Sequence, residues 1–165
     1  ARPRRSRQPA DAVLPLFEFE SDYAKSLCCM PIIVRYKLDA CRIKLSLQDW
    51  QRLDRATRKL LIIEDADGTG AQRRYRHLLV HAIVHQAKIQ PVRMPARHTE
   101  SDWDCVVLPD RVRQSALDKS LPLNGRRSWA DLNALQRFAL FKLTRSGHEN
   151  CNFSRALREF GLTAS

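Results

Sequence analysis

Residues 133–162, NALQRFALFKLTRSGHENCNFSRALREFGL, constrain the fold more than any other stretch of the chain. Asn133 and Gln136 form a reciprocal capping pair, each side chain able to accept from the other's main-chain N–H, so a helix starts at Ala134. At about 100° per residue, Leu135, Phe138, Ala139, Leu140 and Leu143 fill one wide arc, and Phe141 falls outside it. The helix is therefore apolar around most of its girth and belongs in the middle of the molecule. Ser146 and Gly147 stop it, His148, Glu149 and Asn150 make a polar corner, and Phe153, Ala156, Leu157 and Phe160 recur at helical spacing in a second helix. A left-handed Gly161 after that helix would lay Leu162 over Leu157 in a Schellman closure. None of this specifies a reaction.

The rest of the chain also reads as helices. Residues 1–15 are rich in arginine and proline without apolar periodicity and read as a disordered basic leader. Leu16 to Glu20 alternate as a short extended piece, and Ser21 or Asp22 caps a helical turn. Pro31 opens a helix running to Asp39. Ile43, Leu45 and Leu47 alternate briefly, Ser46 with Asp49 caps a helix ahead of Trp50, and Asp54 caps another bearing Arg58 and Leu61. Residues 64–70 are a polar turn, and a long helix follows from Tyr75 to Lys88. Residues 90–104 read as a long loop whose end is pinned by Trp103 and the apolar run Val106, Val107 and Leu108.

Pro109 opens a further helix, and from there the chain repeats itself. Pro31, Val34 and Arg35 recur as Pro109, Val112 and Arg113. One residue out of step, Leu38 and Asp39 match Leu117 and Asp118, Trp50 matches Trp129, Leu53 matches Leu132, Asp54 matches Asn133, and Arg58 matches Arg137. The order implies a duplicated helical unit, residues 31–63 and 109–142, packed as a pseudo-two-fold pair around one shared core. The expected fold is all-α: a single helical domain over 16–165, made of two pseudo-symmetric repeats, a long middle helix and a C-terminal helix.

Composition narrows the function classes. No run approaches a membrane span, the cysteines are odd in number with no CxxC pair, and neither a secretion signal nor a disulfide framework is indicated; the expected location is the cytoplasm. The net charge is +11. Four arginines and one aspartate in residues 1–15 carry three of those charges, so eight belong to the body of the chain and an anionic partner is in question. No phosphate-binding glycine loop, HExxH motif or nucleophile elbow is present, which argues against an enzyme.

Three long blocks, FEFESDYAKSLCCMPIIVRYKLDACRIKLSLQDW (17–50), SWADLNALQRFALFKLTRSGHENCNF (128–153) and ALREFGL (156–162), resemble the bacterial nitrate reductase associated proteins. The resemblance spans residues 17–162 and is loose over 64–108. Two motifs depart from the family pattern: the chain has Cys28-Cys29-Met30-Pro31 where the family has Arg-Cys-Ile-Pro, and Cys41-Arg42 where it has Cys-Gly. The resemblance implies a link to nitrate assimilation and carries no established chemistry or catalytic residue.

Several candidate sites follow. His77, His81 and His85 recur at i, i+4 and i+8 without a further ligand at zinc spacing, and read as a helix rim. The corner His148, Glu149 and Asn150 is the densest group of reactive side chains, read first as caps and a hinge. In a functional version Cys29 or Cys41 joins His148 as a metal or thiol site. Arg58 and Arg137 are expected in ion pairs, with Asp39 or Asp118 as partners, and Trp50 and Trp129 as core anchors. The functional expectation is a non-enzymatic accessory protein that binds a protein of the nitrate reductase system, with no cofactor. A basic nucleic-acid-binding regulator is the alternative, and a Cys/His metal or thiol protein the second alternative.

Overall fold

The computed structural model of the chain describes residues 13–95, 103–145 and 150–164. The leader up to residue 12, residues 96–102 of the expected long loop, the expected helix stop at Ser146 and Gly147, and His148 and Glu149 of the corner lie outside the described residues. The fold is all-α in class. In order come α1 (Ser21–Ala24), α2 (Ile32–Cys41), β1 (Ile43–Lys44), α3 (Leu47–Arg52), α4 (Arg55–Ile63), α5 (Gly68–Ala82), β2 (Val92–Arg93), α6 (Asp110–Asp118), α7 (Ala134–Leu143) and α8 (Asn150–Glu159).

Local chemistry accounts for the helix ends. Asp49 N–H donates to Ser46 Oγ at 3.1 Å, Thr57 N–H to Asp54 Oδ1 at 2.7 Å and Gln136 N–H to Asn133 Oδ1 at 2.9 Å. Asn133 N–H donates back to Gln136 Oε1 at 3.1 Å, which completes the capping box. Past α8, Gly161 is left-handed (φ 77°). Gly161 N–H reaches the Arg158 carbonyl at 3.0 Å and Leu162 N–H the Leu157 carbonyl at 2.9 Å, the two bonds of a Schellman motif. The same turn is a docking edge: Gly125 N–H donates to the Leu162 carbonyl and Arg127 N–H to the Gly161 carbonyl, both at 2.9 Å.

Helix α2 lies at the centre and packs against α4, α5 and α7. The buried side chains divide into two clusters rather than the one shared core expected from the repeat. The first gathers Leu27, Val34, Leu38, Trp50, Leu61, Tyr75, Leu79 and Ile83; the second gathers Ile32, Val112, Trp129, Phe138, Leu140, Phe153, Leu157 and Phe160. Alternate faces of α2 serve the two, which is why its sequence is apolar on both sides. Asp39 on α2 also pairs with Lys142 on α7 at 3.6 Å.

A buried carboxylate sets the start of α2. Glu20 is fully buried and accepts from Ile32 N–H at 2.7 Å, Phe17 N–H at 3.1 Å and the Tyr23 hydroxyl at 2.8 Å. That inward fold turns residues Glu18–Glu20 into a 3₁₀ turn, in place of the extended piece expected there. Glu159 of α8 accepts from Glu18 N–H at 2.8 Å and Phe19 N–H at 3.0 Å, tying this turn to the end of the last helix.

Other expectations are corrected. Of the residues expected to pin the end of the loop, Trp103 is buried against Tyr36 and Phe138 and Leu108 packs on the same cluster, whereas Val106 and Val107 are 69% and 72% exposed and pin nothing; the Cys105 carbonyl accepts from Trp129 Nε1 at 2.8 Å. Leu117, matched with buried Leu38, is 64% exposed, so the correspondence fails at that position. The last turn of the long helix, Ile83–Ala87, widens to π geometry before left-handed Lys88. Residues 92–93, read as loop, pair antiparallel with β1, Ile43 opposite Arg93 and Lys44 opposite Val92.

Candidate anion site

The ribbon brings together residues that no local pattern relates. Main-chain bonding continues past it, Met94 N–H donating to the Arg42 carbonyl at 2.9 Å, so β2 lies beside the end of α2. On α5, Thr69, Gln72, Arg73 and Arg76 fall on one helical stripe. Between the end of α2, this stripe and β2 is a half-open cavity of about 370 Å³, faced by Arg42, Arg73, Arg76 and Arg93. None of its nine lining residues is acidic.

Two of the arginines are held and two are not. Arg76 Nη2 donates to the Cys41 carbonyl at 2.7 Å and Gln72 Nε2 to the Ala40 carbonyl at 2.7 Å, which satisfies two orphan carbonyls at the end of α2. Arg42 Nη2 donates to the Met94 carbonyl at 3.2 Å. The side chains of Arg73 and Arg93 are exposed and have no hydrogen-bond or ion-pair partner among the described residues. Arg42 itself is left-handed (φ 56°), a conformation that favours glycine.

Cys41, a sequence candidate, lies on this cavity but is buried, its Sγ 3.8 Å from the Gln72 carbonyl. Burial pushes its thiol up, and the nearby Arg76 guanidinium offsets this only in part, so the thiol stays protonated at neutral pH. Cys29, half-buried, precedes α2 while Cys41 ends it. Among the described residues no three His, Cys, Asp or Glu side chains converge as ligands. Asn150 begins α8, and the rest of the polar corner is outside the described residues. His81 and His85 are exposed with ring centres 4.3 Å apart.

Trp50 and Trp129 are buried, and Arg58 and Arg137 bond main-chain carbonyls rather than making the ion pairs expected. Trp50 Nε1 donates to the Leu27 carbonyl at 2.8 Å, as Trp129 does to that of Cys105. Arg58 donates to the carbonyls of Leu53 (2.9 Å), Gln51 (2.6 Å) and Leu27 (3.3 Å), and Arg137 to those of Trp129 (3.3 Å) and Ala130 (3.0 Å). Neither reaches Asp39 or Asp118. A planar guanidinium fork can donate to several splayed main-chain carbonyls at once, which a compact ammonium group cannot.

What the arrangement can do is bind. It offers fixed and free guanidinium groups around one cavity and no base or ionised nucleophile. A family model for conserved nitrate reductase-associated proteins matches residues 16–160. No curated protein and no solved structure matches the chain.

Proposed function

The chain belongs to the conserved nitrate reductase-associated protein family, and from that premise we propose that it is a non-catalytic accessory protein that binds a protein of the nitrate reductase system. The observation that carries this reading is the cavity of four arginines without a carboxylate, which suits recognition of an anionic group rather than bond-making. Five free cysteines accord with a reducing cytoplasm, and no helix among the described residues is long and apolar enough to cross a membrane.

Affinity capture from nitrate-grown cells tests it. The wild-type chain is expected to retain a component of the nitrate reductase system, and Arg73→Glu with Arg93→Glu to lose it. Recovery of no such component by the folded wild-type protein would sink the reading. The net charge of +11 favours nucleic-acid binding as the second reading. It predicts affinity for duplex or single strands that falls steeply with salt, and no binding at low salt would end it.

A further inference from the structure

We propose that the arginine cavity binds the phosphate group of a small phosphate monoester, held between Arg73, Arg76 and Arg93. The assignment deepens the reading of this cavity as the anion-recognition site by naming the anion. A carboxylate or a nitrate ion brings one negative charge to four guanidinium groups. A phosphate monoester brings about −1.5 to −2 at neutral pH and three strong acceptor oxygens, a closer match in charge and in bonding capacity. Arg42 and Arg76 are already fixed on the Met94 and Cys41 carbonyls, so they need no ordering when the ligand arrives. Arg73 and Arg93, without partners among the described residues, supply free forks.

Thr69 adds a hydroxyl in the first turn of α5. Asp67, at the N-cap, makes no side-chain bond to that turn, and it does not line the cavity. The cavity, about 370 Å³, is at the small end of the roughly 300–1,000 Å³ span of ligand pockets, and Ala40 and Met94 give it an apolar wall beyond the guanidinium groups. A phosphate group with a compact organic substituent fits that division.

Calorimetry and thermal melts at constant ionic strength test the assignment on the full chain, with inorganic phosphate, glycerol 2-phosphate, nitrate and acetate as probes. The expected result is binding of both phosphates, the monoester more tightly, weakening severalfold between pH 7.5 and 5.5 as the dianion is lost. Arg73→Gln with Arg93→Gln should reduce that affinity at least tenfold without moving the ligand-free melting temperature. Nitrate or acetate binding as tightly as phosphate, phosphate acting no differently from chloride, or a double variant that binds like wild type would each overturn it. Inorganic phosphate binding more tightly than the monoester would overturn the monoester assignment. Arginine-dependent capture of a nitrate reductase component without phosphate binding would overturn this inference and leave the accessory role standing; phosphate binding without capture would do the reverse.

Discussion

Replacing Arg58 separates the role of a guanidinium fork from that of a positive charge. Its three carbonyl partners differ in what they lose. The Gln51 carbonyl can turn to water, and the Leu27 carbonyl keeps Trp50 Nε1, but the half-buried Leu53 carbonyl is left without a donor. A hydrogen bond from a charged donor contributes about 1.5–3 kcal/mol and an orphaned buried acceptor costs about 1–3 kcal/mol. Arg58→Met, which keeps the alkyl stem, should therefore cost about 3 kcal/mol, most of it at Leu53. Arg58→Lys keeps the charge but has a compact head that can meet one of the carbonyls, so about 2 kcal/mol should still be lost. Arg137→Met, giving up two longer bonds, should cost about 1.5 kcal/mol. With an m-value near 2 kcal/mol/M, urea midpoints should fall by about 1.5, 1 and 0.75 M respectively. If Arg58→Lys unfolds within about 0.2 M of wild type, the charge rather than the fork holds the turn and the reasoning fails.

Four further outcomes are expected. Burial raises the Glu20 carboxyl pKa above its ordinary 4.5, so the stability contributed by its neutral form is present in full below that pH and is lost as pH rises through the raised pKa. Urea midpoints of wild type minus those of Glu20→Gln should fall from pH 4.5 upward; a difference that is flat or rises would contradict the burial argument. A Cβ on Gly125 would sit 2.1 Å from the Gly161 carbonyl oxygen, so Gly125→Ala should cost about 3 kcal/mol and lower the melting temperature by about 10 °C. At Gly70 an added Cβ meets nothing closer than Arg74 Nη1 at 3.8 Å, and Gly70→Ala should be neutral or stabilising by up to about 1 kcal/mol in the same melts. Left-handed Arg42 predicts that Arg42→Gly is more stable than Arg42→Ala by about 1 kcal/mol in urea titrations, since only glycine is free of the Cβ clash there.

Signals within one helical turn were legible in the sequence, and signals requiring two distant segments were not. The caps at Ser46, Asp54 and Asn133 and the glycine stop at Gly161 act over three to five residues, and each does what its residue type suggests. Arg58 and Arg137 were recognisable as important but not as carbonyl clamps, because their partners are main-chain atoms that carry no residue identity. The cavity was half visible. Thr69, Gln72, Arg73 and Arg76 make a polar stripe on α5 that helical spacing alone could have exposed. Arg42 and Arg93 join it only through a ribbon of two-residue strands, too short for any periodicity and separated by nearly the whole first cluster. The duplication pattern located both tryptophans, yet it predicted one core where there are two, because matched positions say nothing about which neighbour a helix face meets.

The Glu159 carboxylate that receives Glu18 and Phe19 N–H spans 141 and 140 residues of chain. On a ribosome, the cluster that includes Leu27, Trp50 and Ile83 has every partner in hand once the segment through β2 has emerged, whereas the turn at Glu18 must wait for α8. Until then the stacked rings of Phe17 and Phe19 lack Phe160, against which both pack edge-on. The first-made turn is thus among the last to be buried, a nascent chain stalled before α8 would display that aromatic pair to chaperones, and loss of the Glu159 carboxylate should slow the last step of folding more than the first.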